Sequence, residues 1–552
     1  VRTRHILLAV AAGLALADAS IVTLALPQLL AELDTTVEGV ASILGVYTVA
    51  LAATLLPAER LQRIYGAPRT GAAGLALFAI ASVAAGACGS LGMLLAARAV
   101  QAVGGAAALV AAFALLEPGG AAGARGRRLW LGAAVLAAAI GPALGGALTE
   151  ALSWRWIFFA QAPVAAIAAV VALREPTGDT RGSAGTESVP TEGPRLSAGP
   201  AIALAFVSAA LTAVLFLLVL LLVAGWDVSP LHAAATVTVI PAGALLGSRI
   251  GGDARARAAA GCALVGAGVL ALAFLPDAHL LWTVVPQAAA GLGMGLALPA
   301  LGGELLPERD PQDAARLLVL RHGGIALALV VLAPIVSSNL EMATERAKER
   351  GVAVVLDAQL APTEKLRLAP VLLAGVDEEE PRHGLRAALE TGRGTIAGDE
   401  QAAYDEVARR ADDTLVLAVG EAFRTAFLVT GLLGLLAAAA VLPRRWTPAL
   451  AAAAATTLAL PLAFVGLHAA KAPEAVQLGD PCKPRALPQT GGLEGFLQDR
   501  ALEVLDTTAC KAGASREELV LALADEQERK RFERRHGVDP RSLSTLLQGL
   551  LG

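Results

Sequence analysis

An aspartate and an arginine sit in this chain where apolar residues prevail on both sides. Asp18 lies in Leu16-Ala17-Asp18-Ala19-Ser20-Ile21-Val22-Thr23-Leu24-Ala25-Leu26-Pro27, and Arg98 in Ala97-Arg98-Ala99-Val100-Gln101-Ala102-Val103-Gly104-Gly105. An ionised group at bilayer depth costs about 3 kcal/mol even on lenient scales, so its presence points to function by default. A carboxylate there suits a proton or a cationic group, and a guanidinium of opposite charge suits coupling to it. The structural alternatives are that Asp18 caps or hydrogen-bonds a neighbouring helix, and that Arg98 snorkels to the outer surface.

Small residues form a third constellation. Gly132 and then Gly141-Pro142-Ala143-Leu144-Gly145-Gly146 place glycines at helical spacing around a proline. Glycines at i and i+4 let two helices approach closely, while Pro142 frees a carbonyl and bends its helix. Gly291-Leu292-Gly293-Met294-Gly295 has the look of a nucleotide loop, but no strand precedes it and apolar residues surround it, so it reads as a packing face. Cys88 and Cys262 fall in apolar blocks as small hydrophobes, whereas Cys482 and Cys510 fall in a polar tail. No Cys-x-x-Cys and no His/Cys cluster has metal spacing, so no metal site and no cofactor are expected.

Positioning such residues is the task of the surrounding elements. The 552 residues are 56% hydrophobic and 17% charged, with a mean hydropathy of +0.62. A soluble domain is about a quarter charged, so the apolar content exceeds what one globular core needs. The apolar residues come in blocks of about 20, the length that crosses about 30 Å of hydrocarbon as a helix. The spacing predicts helices near 6–29, 38–57, 70–89, 91–116, 129–150, 154–173, 199–224, 231–250, 256–275, 279–301, 317–339, 420–442 and 447–470. Arg2, Arg4 and the Ala17-Asp18-Ala19 step resemble a signal peptide, but the apolar run continues to Leu30, which predicts a retained first helix.

Charge gives the orientation. With the N-terminus inside, the cytoplasmic turns hold Arg60, Arg63 and Arg69, then Arg125, Arg127 and Arg128, then Arg174, Arg181 and Arg195, and later Arg249, Arg255, Arg257, Arg309, Arg316, Arg444 and Arg445. The short outer loops hold none, with Arg155 the nearest exception. Cytoplasmic retention of basic residues produces this alternation. All six tryptophans fall at predicted helix ends, where an amphipathic ring prefers the headgroup layer.

Two segments break the pattern. Residues 174–198 form a polar, Gly/Ser/Thr/Pro-rich cytoplasmic linker between helices 1–173 and the rest. Residues 340–419 are too polar to span yet carry amphipathic stretches, and by parity lie outside as a helical insertion between helices seven to eleven (199–339) and helix twelve (420–442). An extra transmembrane helix in 443–470 then puts the tail 471–552 outside too, where a Cys482–Cys510 disulfide can persist. Ser515 with Glu518 reads as a capping box for a helix running to about 535, and the charges Arg529 to Arg535 as its solvated face.

At these residues the chain resembles the major facilitator superfamily, in particular its drug:proton antiporter branch related to the fourteen-helix multidrug exporters. Asp18 to Pro27 is similar to that branch's helix-one motif, with Ser20 for the Thr and Thr23 for the usual Asn. Arg98, Gln101 and Gly104 match the helix-four motif. Gly132, Gly141, Pro142, Gly145 and Gly146 match the helix-five antiporter motif, and Trp154-Arg155-Trp156-Ile157-Phe158-Phe159 with Pro163 the segment after it. Gly225 to Pro230 and Ile240-Pro241 look like the start of the family's second bundle. The cytoplasmic gating loop between helices two and three departs from the family: Glu59 stands for its first Gly, and Arg63, after Arg60 and before Gly66, for its Asp. The central helix pair of the fourteen-helix relatives is missing, since 174–198 cannot span.

The resemblance implies an all-α polytopic membrane protein of two six-helix bundles plus one extra C-terminal helix, in the plasma membrane with the N-terminus cytoplasmic and the C-terminus extracytoplasmic. It implies a non-enzymatic transporter that exports small amphipathic or lipophilic molecules by alternating access, with the proton gradient as energy source and Asp18 and Arg98 as coupling groups. Membrane lipids are its surroundings, and no nucleic acid is expected as a partner. The alternative is a transport-inactive anchor that presents 340–419 and 471–552 to an extracytoplasmic protein partner. A reporter active only outside the cytoplasm is expected to work when fused after residue 380 or 552 and to fail after residue 185. An inactive fusion at 552 would mean an even number of spans.

Overall fold

The computed structural model describes residues 2–116, 141–175, 197–306, 311–365, 367–368, 381–394, 396, 400–443, 448–485, 488 and 492–542. Every regular element among them is a helix, and eleven are long and apolar enough to cross a membrane. The predicted span at 129–150 lies outside the described residues up to position 140. The chain divides into two compact units.

The first unit holds Val1–Val223, Val228–Ser337 and Phe423–Ala470. The first predicted span is built as two helices, α1 (Arg2–Thr23) and α2 (Leu26–Glu32). Pro27 explains the break, because its ring collides with the carbonyl four residues back, at Thr23. The predicted span 231–250 divides for the same reason into α9 (Pro230–Val237) and α10 (Val239–Gly247), with Pro241 four residues beyond Val237. Between them in sequence come α3 (Val37–Tyr65), α4 (Ala67–Ala87), α5 (Leu91–Leu116), α6 (141–151), α7 (Arg155–Leu173) and α8 (Ala198–Val219). Then follow α11 (Ala254–Leu272) and α12 (Leu281–Pro299).

The gating segment is not the loop that the sequence suggests. α3 continues to Tyr65, so Glu59, Arg60 and Arg63 stand on its last turns, and the turn itself is Gly66 alone at φ 85°. A β-carbon would strain this left-handed position, and Pro68 starts the next helix just beyond it.

Close helix crossings depend on glycine in both halves. A β-carbon on Gly104 would lie 2.6 Å from the Gly74 carbonyl oxygen and from the Phe78 nitrogen, which fixes α4 against α5. A β-carbon on Gly261 would meet Gly293 and Ala297 at 2.6 Å, so α11 crosses α12 in the same manner. The glycine run at 291–295 is therefore a packing face, as its surroundings suggest.

Two helices exceed their predicted spans: α13 runs Pro311–Leu356 and α15 runs Gln401–Ala440, against 317–339 and 420–442. The extra apolar helix, α16, is Pro448–Lys471. It is pinned near its end by His468, whose Nδ1 donates to the Leu275 carbonyl (2.9 Å) while its Nε2 accepts from Arg424 (3.1 Å).

The second unit assembles Ala224–Asp227, Ser338–Ala422 and Lys471–Gly552. The two polar segments read separately in the sequence thus share one body. Its tail helices are α17 (Gly492–Ala512), α18 (Arg516–Ala524) and α19 (Glu526–His536). Ser515 caps α18 by accepting from the Glu518 amide at 3.0 Å. The single helix expected to 535 is broken at Asp525, whose carboxylate accepts from the Gln527 and Glu528 amides and starts α19 afresh. Ala509, Ala514, Leu519, Ala522 and Phe532 form a small apolar core. Arg516 is 1% exposed and bridges Asp357 (2.7 Å) to Glu517 (2.9 Å), tying the tail to the 338–422 segment. α14 (Pro381–Arg393) supplies Arg382, which binds Asp412 through two 2.7 Å bonds and donates to the Trp226 carbonyl. Trp226 and Trp154 are buried, so these two rings serve packing and not the headgroup layer.

Cys482 and Cys510 are joined, with α-carbons 5.0 Å apart and a sequence separation of 28. Closing a loop of that length stabilises by roughly 3–4 kcal/mol in the chain-entropy picture. Replacing both with serine should lower the stability of the second unit by about that amount in chemical unfolding followed by proteolysis of the tail. An unchanged unfolding midpoint would show that the bond constrains nothing.

Candidate functional site

Asp18 and Arg98 meet inside the first helical half. Arg98 Nη1 approaches Asp18 Oδ2 at 2.5 Å, and both side chains are fully buried. A guanidinium and a carboxylate removed from water need further hydrogen bonds to hold their positions. α5 supplies the first, three residues on: Arg98 Nη1 donates to Gln101 Oε1 at 2.7 Å. Gln101 Nε2 donates to Ser82 Oγ of α4 (2.9 Å) and to Gln161 Oε1 of α7 (3.3 Å). Gln161 Nε2 returns to Asp18 Oδ1 at 3.2 Å, closing a ring of polar groups across α1, α5 and α7, with Ser82 of α4 attached through Gln101.

Aromatic rings seal this network. The guanidinium carbon of Arg98 lies 4.2 Å from the centroid of Tyr47 and 5.6 Å from that of Phe158, distances at which the ring quadrupole attracts a cation. Tyr47 in turn donates to the Ala15 carbonyl at 2.8 Å, fixing α3 against α1 one turn from Asp18. The pair is not fully satisfied: Arg98 Nη2 and Asp18 Oδ2 each lack an aligned hydrogen bond, although the charges touch. Arg98 therefore points into the bundle and does not snorkel.

The remaining predicted residues surround this centre in different ways. Gln101 joins the network, whereas Gly104, one turn on, serves the α4–α5 crossing. Gly141 and Gly145 press on Ile21 of α1, three residues past Asp18. A β-carbon on Gly146 would meet Ala234 and Pro230 of α9, and Glu150 accepts from the Leu231 amide at 2.7 Å. Pro142 is buried on the same helix. The glycine motif thus faces α1 on one side and the second half on the other. Gly132 lies outside the described residues. Glu59 is buried and pairs with Arg63 at 2.6 Å, a link within α3 alone, while Arg60 is exposed. Among the described residues no group of acidic, His or Cys side chains could hold a metal ion.

Several residues escape a reading by type and motif. Gln161, Ser82 and Tyr47 are neutral, and a neutral group in an apolar helix carries no charge signal. Arg321 and His322 are different, since they lie inside the predicted span 317–339 and the rule that singled out Asp18 applies to them equally.

The sequence profile of the Major Facilitator Superfamily matches residues 8–306. The chain belongs to this superfamily. It is 31% identical over 159 residues to the drug efflux pump JefA of Mycobacterium tuberculosis, a match covering 28% of this chain and 31% of that protein. It is 30% identical over 150 residues to the cephamycin export protein CmcT of Amycolatopsis lactamdurans, covering 27% and 31%. These matches span about a third of the relatives' length. Among solved structures, an inward-facing, occupied bacterial homologue of the human lysosomal transporter Spinster superposes with a TM-score of 0.53 at 15% identity, covering 80% of this chain and 98% of that one. That likeness concerns the fold.

Removing one member of the buried pair should destabilise more than removing both charges. Arg98→Ala is expected to cost roughly 3–5 kcal/mol, because Asp18 is left buried without compensation. Asp18→Asn combined with Arg98→Met should recover most of that loss in thermal melts of the purified protein. A single variant as stable as the wild type would remove the pair from the scaffold.

Proposed function

We propose that this protein is a proton-coupled secondary transporter that exports small amphipathic molecules by alternating access. The observation that carries the reading is the Asp18–Arg98 pair, fully buried at 2.5 Å in a superfamily member of this fold. Asp18 is the proton-binding group. In the paired state Arg98 compensates its charge, and a proton arriving on the carboxylate cancels the attraction that holds Arg98 and frees the guanidinium. Gln101 and Gln161 follow, because each bonds to one of the two partners. Asp18 lies three residues before Ile21, on which Gly141 and Gly145 press, and Gly146 of the same helix touches α9. A change at Asp18 can therefore reach the contact between the two halves through packed backbone. Export as the direction draws support from the named activities of JefA and CmcT. The plasma membrane is the proposed location, and the distribution of basic residues supports an N-terminus in the cytoplasm and a tail outside.

A second reading has its own observation. The segments Ser338–Ala422 and Lys471–Gly552 form a compact unit with a disulfide and an ionic core, and the gating segment lacks the family's Asp. In that reading the helices anchor the second unit, which captures a protein partner.

Asp18→Asn keeps size and most hydrogen bonding but removes titration. The variant leaves Arg98 without its counter-charge and should be less stable, so flux is compared per monodisperse, inserted protein. On that basis pH-gradient-driven flux of a dye panel in inverted vesicles should fall by tenfold or more, on the order of the charge's coupling energy. If wild type transports and Asp18→Asn matches it at every imposed gradient, Asp18 carries no proton. If wild type moves nothing while the second unit captures a partner, the anchoring reading takes over.

A further inference from the structure

The proposed transport reading leaves the chemical class of substrate open, and α13 narrows it. Arg321 stands ten residues after the helix start at Pro311, about 15 Å along the axis. Leu317 to Leu320 precede it and Ile325 to Leu332 follow Gly323-Gly324, so it lies within the apolar stretch. It finds no hydrogen-bond or ion-pair partner among the described residues, in contrast to Arg98, which is held by Asp18 and Gln101.

Its direction follows from helix geometry. Residues seven apart on an α-helix point the same way within about 20°, so Arg321 shares the face of Ala314. Ala314 and Ala315 are buried in the apolar cluster built from α1, α3, α4, α5 and α7, with Leu318 and Val319 packed beside them. Arg321 therefore faces the first half from the second, two turns deeper than that contact. The opposite boundary is also fixed: Gly324 lies against the backbone of Ala205 on α8, where no side chain could be inserted. Arg321 is partly exposed, whereas its neighbour His322 is buried with Nδ1 bonded to the Leu318 carbonyl at 2.8 Å. A cation that stays ionised, unpaired and partly accessible between two helical halves requires an anion to compensate it. Asp18 cannot supply the charge, since Arg98 already neutralises it.

We infer that Arg321 is the substrate-charge site, and that the molecules handled between the two halves are amphiphiles carrying an anionic head, a sulfonate, carboxylate or phosphate, with an apolar body. This rests on the transport reading for its physiological meaning but not for its binding test. The unneutralised charge in the interior is positive, so a cationic substrate would meet repulsion there and Asp18 would offer it nothing.

The full-length protein in nanodiscs is titrated with anilinonaphthalene sulfonate as the anionic probe and ethidium as the cationic one. Wild type should bind the sulfonate saturably, Arg321→Gln about tenfold or more weakly, and Arg321→Lys with most of the affinity retained. Ethidium should bind poorly to all three. In wild type alone, octanoate should displace the sulfonate and octanol should not, an arm that needs no variant to fold. Sulfonate binding that is unchanged in Arg321→Gln, or displaced equally by octanoate and octanol, overturns the inference, as does a preference of wild type for ethidium. With anionic phosphatidylglycerol added to phosphatidylcholine discs, loss of sulfonate binding assigns the site to a lipid headgroup, and retention to a dissolved amphiphile; both support an anion site. If wild type moves neither dye in proteoliposomes yet shows charge-selective binding, the transport reading fails and the anion site stands.

Discussion

A carboxylate and a guanidinium held together away from water set the terms for the whole first half. Each charge alone would be expelled from an apolar bundle, and together they remain only if geometry and additional hydrogen bonds compensate for lost hydration. The structure meets that demand with Gln101, Gln161 and Ser82, and with the rings of Tyr47 and Phe158 over the cation. These residues come from α3, α4, α5 and α7, so the pair dictates that five helices, counting α1, converge at one level. The glycines then become necessary. α4 and α5 bring Ser82 and Gln101 within 2.9 Å only because Gly74 and Gly104 let their backbones touch nearby.

The second half uses the same packing device without the same charge balance. Gly261 and Gly293 let α11 and α12 meet as closely as α4 and α5 do, yet its buried polar residues Gln287 and Thr283 bond only to one another and to backbone. Among the described ionised groups on this side, Arg424 is held by the Ala273 carbonyl and His468, whereas Arg321 has neither an ion pair nor a hydrogen bond. One half thus carries a compensated pair and the other an uncompensated cation, an asymmetry between halves built alike.

Much of this could be read from the residues themselves. Apolar blocks of fixed length and arginines on alternate turns define the spans. Asp18 and Arg98 stand out because a charge is costly in such a block. The polar partners were invisible for the complementary reason: Gln161 and Tyr47 cost little in an apolar helix, so nothing in composition marks them. Arg321 carried the signal but lies five residues from Arg316 and close to Arg309, where a run of cytoplasmic charge blurs the start of the span. The segment 59–66 looked like a loop by its charges, yet Gly66 alone suffices to turn the chain, and Glu59 and Arg63 are better placed as an i,i+4 pair on a helix. Helix breaks at Leu24–Ala25 and Thr238 follow from prolines in plain view, but the apolar runs mask them. That 338–422 and 471–552 share a body is a matter of long-range pairing, which no local pattern encodes.

That shared body has a consequence for biogenesis. Its parts are separated in the chain by two membrane helices, α15 and α16, so the earlier segment emerges long before its partner. Asp357 awaits Arg516, and Glu345 awaits Arg531, its 3.0 Å partner. At a synthesis rate of about 5–20 residues per second, the roughly 130 residues from Ala422 to Gly552 take about 6–26 s to appear. During that interval the first segment has buried apolar residues of its own, such as Leu385, Leu389 and Tyr404, the last bonded to the Leu389 carbonyl, but its ionic partners in the tail are still missing. The ion pairs between the two segments therefore close last, with a window in which a holding chaperone or a protease can decide the outcome.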